Sequence, residues 1–144
     1  MNLLVAVDLS PASKLVITAV QRVAEVTGAH VYVVHVAEPE PDFMGFEAGP
    51  EVVRDQLAAE YRQQHQAVQA LAEGLREHGI KATALLIRGP TAAATIREAE
   101  RLDAELIVVG SHGRSAIYDV LVGSYSADIL RKSRIPVLVV PTRD

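Results

Sequence analysis

The chain has no cysteine, which excludes disulfides, thiolate metal sites and thiol chemistry and fits a reducing compartment. Aromatic residues are scarce, at 4% of the sequence, and no cluster of lysine and arginine accompanies them. Fourteen basic against eighteen acidic side chains give a net charge of -4, so a nucleic-acid backbone is not an expected partner. No apolar run approaches the roughly eighteen residues that a membrane span requires. The opening stretch Asn2-Leu3-Leu4-Val5-Ala6-Val7 is too short for a signal peptide and has neither a basic leader nor a cleavage signature, so a cytoplasmic location is expected. No cluster of carboxylates or histidines has metal-ligand spacing, and any metal is expected to arrive with a ligand.

Two further absences narrow the nucleotide-binding folds. After the first apolar run stands Asp8-Leu9-Ser10-Pro11-Ala12-Ser13, not the G-x-G-x-x-G of a dinucleotide-binding domain, and no Walker-type G-x-x-x-x-G-K-[ST] occurs anywhere. A receiver domain needs a phosphoacceptor aspartate after its third strand, and Arg88-Gly89 stands there.

The 144 residues suffice for one domain, expected over 1–144, with a two-layer core that needs no disulfide or metal. Short runs rich in Val, Ile and Leu alternate with longer segments of helical period, the pattern of repeated βα units and a mainly parallel sheet. Strands are expected at Leu3 to Val7, Val31 to Val36, Ala82 to Ile87, Leu106 to Val109 and Val137 to Val140. Most are apolar on both faces, as buried parallel strands are.

The first helix is expected to start with Ser10 as N-cap and Pro11 in the first turn, to present Leu15, Val16, Ala19, Val20 and Val23 to the core, and to stop at Gly28. The longest runs from about Glu51 to His78 with Leu57, Tyr61, Val68, Leu71 and Leu75 on one face, closed by Gly79. A third spans roughly Thr91 to Leu102, and a fourth begins near Ser124 and ends before Pro136. The stretch from Glu38 to Pro50, acidic and holding three of the seven prolines and both phenylalanines, reads as a loop whose Phe43 and Phe46 seat it on the core.

Open α/β sheets bind ligands outside the carboxyl ends of their strands. The residues there are Asp8-Leu9-Ser10, His35-Val36, Arg88-Gly89-Pro90 and Gly110-Ser111-His112-Gly113. In the last, Gly110, Gly113 and Gly123-Ser124 bracket the passage from a strand to a helix start. Glycines in such a place let backbone N–H groups approach phosphate oxygens, and a helix N-terminus favours an anion. Turn punctuation is the alternative reading. Asp8 reads either as a ligand group or as a cap of the following helix. His112 reads as a solvated loop histidine, and His35 as structural. Arg114 is open between a phosphate contact and an ordinary surface arginine.

The spacing Gly110, two residues, Gly113, nine residues, Gly123-Ser124 resembles the nucleotide-binding signature of the universal stress protein family. The resemblance extends from Val5-Ala6-Val7-Asp8 through Val34-His35-Val36 to Pro136-Val137-Leu138-Val139-Val140, and is densest over Ile107 to Ser115. It implies an α/β fold, doubly wound, with a five-stranded parallel sheet in the order 3-2-1-4-5. It also implies binding of ATP, or ADP or AMP, with Mg²⁺ held mainly by the phosphates. Asp8 and Val36 would hold the adenine and ribose side, with Val109 and Gly110 beneath the nucleoside. Gly113, Gly123, Ser124 and the Tyr125 backbone would hold the phosphates. The sequence departs from the family at Ala116, often glycine, and at Tyr125, often smaller.

The leading functional reading is a nucleotide-dependent regulatory module with an unknown downstream protein partner, not a dedicated enzyme. The rivals are a slow ATPase or phosphotransferase, for which no catalytic base stands out, and a structural dimer with a vestigial site. The last strand ends close to the C-terminus with nothing after it to cover a sheet edge, and relatives commonly dimerise there. A homodimer through Val137 to Val140 is therefore expected.

Overall fold

The computed structural model describes residues 1–37, 50–112 and 123–142. Nine elements alternate along it: β1 (Asn2–Ala6), α1 (Ser13–Thr27), β2 (His30–Ala37), α2 (Pro50–Arg76), β3 (Ala82–Arg88), α3 (Thr91–Arg101), β4 (Leu106–Gly110), α4 (Ser124–Lys132) and β5 (Val137–Val140). The strands form one parallel sheet in the order β3-β2-β1-β4-β5, as the resemblance implied. The expected loop from Glu38 to Pro50, with Phe43 and Phe46, lies outside the described residues, except that Pro50 already belongs to α2.

Period-2 alternation sends the strand side chains into two cores. Leu3, Val5, Val31, Val33 and Val108 pack with Val16 and Val20 of α1 and Val68, Ala72 and Leu75 of α2. Leu4, Ala6, Val34, Ile107 and Val109 pack with Ala92, Ile96 and Ala99 of α3 and Ile129 of α4. Helices thus cover both faces, which is why the central strands read as continuous apolar runs. Leu75 and Val68 are fully buried, and each such side chain contributes about 1.5–3 kcal/mol of transfer free energy.

α1 stops as expected at Gly28, whose φ of 71° is a left-handed cap and whose N–H bonds the Ala24 carbonyl at 2.8 Å. Its start differs. The helix begins at Ser13, with Ala12 at the N-cap position and no side-chain cap. Ser10 instead opens a turn, its carbonyl accepting the Ser13 N–H at 3.0 Å. The reason is Asp8, which draws Ser10 into a separate turn described below. Leu15, expected on the core face, is 42% exposed; the buried stripe is Ser13, Val16, Val20 and Ala24. Among the described residues, no helix is long and apolar enough to cross a membrane.

Candidate functional site

The sheet order places β1 beside β4, although α1 leaves β1 toward one face and α4 leaves β4 toward the other. This is the topological switch point, where diverging loops open a crevice at the carboxyl ends of the strands.

On the β1 side stands Asp8, half-buried. Its Oδ1 accepts the Ser10 N–H at 2.9 Å and the Ser13 hydroxyl at 3.2 Å, an Asx-type turn. Between them Leu9 sits at φ 62°, a left-handed conformation that costs a non-glycine residue about 1–2 kcal/mol. Packing of Leu9 against the α1/α2 core and the two bonds to Asp8 offset it. Asp8 therefore does cap the polar groups before α1, though through Ser10 and Ser13, while remaining at the mouth of the crevice. Val36, 8% exposed, lies on the neighbouring β2. Asp8 and Val36 each stand two residues beyond the registered pair Ala6 and Val34, hence on the same face. His35 is structural as expected: its Nδ1 donates to the Val7 carbonyl at 2.7 Å, tying the ends of β1 and β2 together.

On the β4 side, Val109 is fully buried and Gly110 ends the strand. A Cβ on Gly110 would lie 2.9 Å from Thr142 Cγ2 and 3.2 Å from Val16 Cγ2, so internal packing alone requires glycine there. Beyond it a polar network fastens the loop. Ser111 N–H donates to the Val140 carbonyl at 2.8 Å, and the Thr142 N–H donates to Ser111 Oγ at 3.1 Å. The His112 N–H reaches Thr142 Oγ1 at 3.2 Å, and the Ser126 hydroxyl donates to the Gly110 carbonyl at 2.6 Å. His112 was expected in solvent and is instead buried at 7% exposure, with Nδ1 3.2 Å from Ser111 Oγ; the tail of β5 folds over it. Ser111, Ser126 and Thr142 went unnoticed in the sequence. Ser126 follows Gly123-Ser124 at helical spacing, a usable signal; Thr142 has none.

Opposite this loop, Gly123 is the N-cap of α4 in extended backbone, φ −68° and ψ 165°. Its N–H donates to the Ser111 carbonyl at 2.7 Å and its carbonyl accepts the first helical bond, from Ala127 at 2.9 Å. Among the described residues, a Cβ at Gly123 would meet the Ser111 carbonyl oxygen at 3.4 Å and His112 Cα at 3.7 Å, ordinary contacts. Ser124 is exposed at the first helical position. The N–H groups of Ser124, Tyr125 and Ser126 are those a helix cannot satisfy from within, and they carry the positive end of its dipole.

Tyr125 turns its side chain away from that opening. The hydroxyl lies 2.7 Å from Thr95 Oγ1, which in turn donates to the Thr91 carbonyl at 2.8 Å, pinning the first turn of α4 to α3. Burial pushes the phenol up to about 12; the Thr95 bond opposes that and the Asp8 charge adds to it. Gly113, Arg114 and Ala116 lie outside the described residues. Among the described residues, no group of three or more His, Cys, Asp or Glu could hold a metal.

The model of the universal stress protein family matches residues 1–141. The chain belongs to the universal stress protein family. A universal stress protein of Thermus aquaticus, from the QAH/OAS sulfhydrylase 3′ region, is 31% identical over 140 residues, covering 96% of this chain and 97% of the relative. In three dimensions, the universal stress protein UspA from Lactobacillus plantarum superposes with a TM-score of 0.81 at 21% identity, over 97% of each chain. The universal stress protein from Archaeoglobus fulgidus, solved in complex with dAMP, superposes with a TM-score of 0.67 at 21% identity, over 97% of each chain.

Proposed function

We propose that this universal stress protein, as one domain over residues 1–144, binds an adenine nucleotide, ATP in the leading reading, in the crevice between β1 and β4. One observation carries the reading: α4 aims its unsatisfied N–H groups and positive dipole end at the switch point, past Gly123, which among the described residues has room for a Cβ. The dAMP complex of the Archaeoglobus fulgidus protein supports adenine as the base.

The residues divide into three roles. Asp8 and Val36 face the adenine and ribose, and Val109 and Gly110 form the floor. The N–H groups of Ser124 and Tyr125 hold phosphate oxygens, together with Gly113 and Arg114. Gly123 contributes open space rather than a donor, because its N–H is already given to Ser111. Mg²⁺ would be held by the phosphates, since the described residues provide no carboxylate cluster for it. Binding draws α4 and the loop after β4 onto one ligand and so changes the surface presented to a partner, the role of a regulatory module.

The second reading within this proposal is a homodimer through β5. That strand is a sheet edge, with Leu138 exposed and Val137 and Val139 half-buried, and an uncovered edge invites pairing.

A thermal-shift titration tests the nucleotide reading. Ligand at a hundredfold excess over Kd stabilises by about 2.7 kcal/mol, and a chain of this length unfolds with an entropy of about 0.3 kcal/mol/K. ATP with Mg²⁺ should therefore raise Tm by about 9 °C. No shift at millimolar ATP would refute it.

A further inference from the structure

Away from the crevice, an open groove of about 480 Å³ runs along the outer edge of β3, lined by Tyr61, Arg62, His65 and Gln66 of α2 and by Ala84, Leu85 and Leu86. Because β3 ends the sheet, β2 is its one strand neighbour among the described residues. In a parallel ladder a residue's N–H and C=O point to the same side, and successive residues alternate. The Val31 N–H bonds the Lys81 carbonyl at 2.8 Å, so Lys81 and every second residue after it face β2. The Ala82 carbonyl faces outward, where it accepts Arg76 Nε at 2.9 Å. It follows that Ala84 and Leu86 turn their N–H and C=O groups into the groove.

The walls of this edge differ in chemistry. Toward α2, Arg62 and His65 line the groove and the Arg88 guanidinium lies over the Tyr61 ring at 4.6 Å. Farther along the helix Glu73 is ion-paired to Arg76 at 3.0 Å. On the other face Leu85 and Ile87 are half-buried against the α3/α4 core. A strand added to β3 would present alternate side chains to these two walls.

The geometry points to β3 and α2 as a docking groove for an extended acidic segment of another protein, added edge to edge with Asp or Glu toward Arg62 and apolar residues toward Leu85 and Ile87. Main-chain bonds to Ala84 and Leu86 supply affinity and the side-chain alternation supplies selectivity. A second copy of this chain is the poorer occupant, because pairing two such edges sets the Arg62 side chains against each other. The inference does not depend on nucleotide binding.

The test uses the full chain and two labelled eight-residue peptides, one alternating glutamate with valine and one alternating lysine with valine, followed by fluorescence anisotropy. The glutamate peptide should bind at least tenfold more tightly. Arg62→Glu should reverse the preference, and Gln66→Glu, on the same wall, should weaken the glutamate peptide; unchanged circular dichroism verifies that both variants fold. N-methylation of alternate peptide residues should abolish binding. Equal affinity for the two peptides, no binding at millimolar peptide, or indifference to Arg62→Glu would overturn the inference. So would displacement by saturating ATP, which would place the peptide in the crevice, or a change of oligomeric state in Arg62→Glu, which would make the edge a contact between copies.

Discussion

Two glycines of the same motif have opposite reasons to be glycine, and alanine at each should separate them. At Gly110 the added methyl lands 2.9 Å from Thr142 Cγ2 and 3.2 Å from Val16 Cγ2, closer than carbon atoms tolerate. Relief requires Thr142 to move, and Thr142 is bonded to Ser111 and His112 at 3.1–3.4 Å. Overpacking of this kind costs about 1–3 kcal/mol. Divided by an unfolding entropy of about 0.3 kcal/mol/K, the midpoint cost of about 2 kcal/mol lowers Tm by about 7 °C. At Gly123 the methyl makes contacts at 3.4 and 3.7 Å in backbone that any residue adopts, so Tm should move by less than about 2 °C. The methyl nevertheless stands between α4 and the loop at Ser111 and His112, where the phosphates are proposed to sit, and ATP affinity should fall tenfold or more. Differential scanning calorimetry with and without ATP reads both effects. A Gly110→Ala protein that melts like wild type, or a Gly123→Ala protein that melts far below it, would refute the steric reasoning.

Three other outcomes are expected. The Tyr125 phenol is raised to about 12 in the folded protein against about 10 unfolded. The folded state therefore keeps its proton where the unfolded state loses it, and this contribution, full below about pH 10, is lost as pH rises through about 12; Tyr125→Phe should flatten that decline in urea titrations run from about pH 10 upward. Asp103 holds φ 53° at the end of α3, so Asp103→Gly should gain about 1 kcal/mol, or about 3 °C in Tm. For the β5 dimer, Leu138→Lys is a cleaner probe than Val139→Lys, because Val139 packs on the α3/α4 core while Leu138 is 37% exposed. Sedimentation should show dimer for wild type and monomer for Leu138→Lys, and an unchanged dimer would count against pairing at this edge.

The fold was legible where the physics is local and periodic. Five apolar runs became five strands, the central β1 and β4 buried on both faces, and Gly28 and Pro136 punctuated the chain where a left-handed cap and a broken helix were required. What stayed hidden depends on residues distant in sequence. His112 looked solvated because nothing near it indicates that Thr142, thirty residues on, closes over it. Tyr125 stood out as a bulky departure beside the phosphates, yet its ring leaves that space for Thr95, thirty residues back. The start of α1 was misplaced for a local reason: Ser10 and Pro11 have cap-like identities, but Asp8 competes for Ser10 and delays the helix to Ser13.

Isothermal titration of ATP with Mg²⁺ into wild type and Gly123→Val tests the central claim most directly. Saturable binding near one nucleotide per chain, abolished in a Gly123→Val protein that keeps its circular dichroism, is the expected result. Folded wild type that takes up no heat-detectable nucleotide, or a Gly123→Val protein that binds as tightly as wild type, would contradict it.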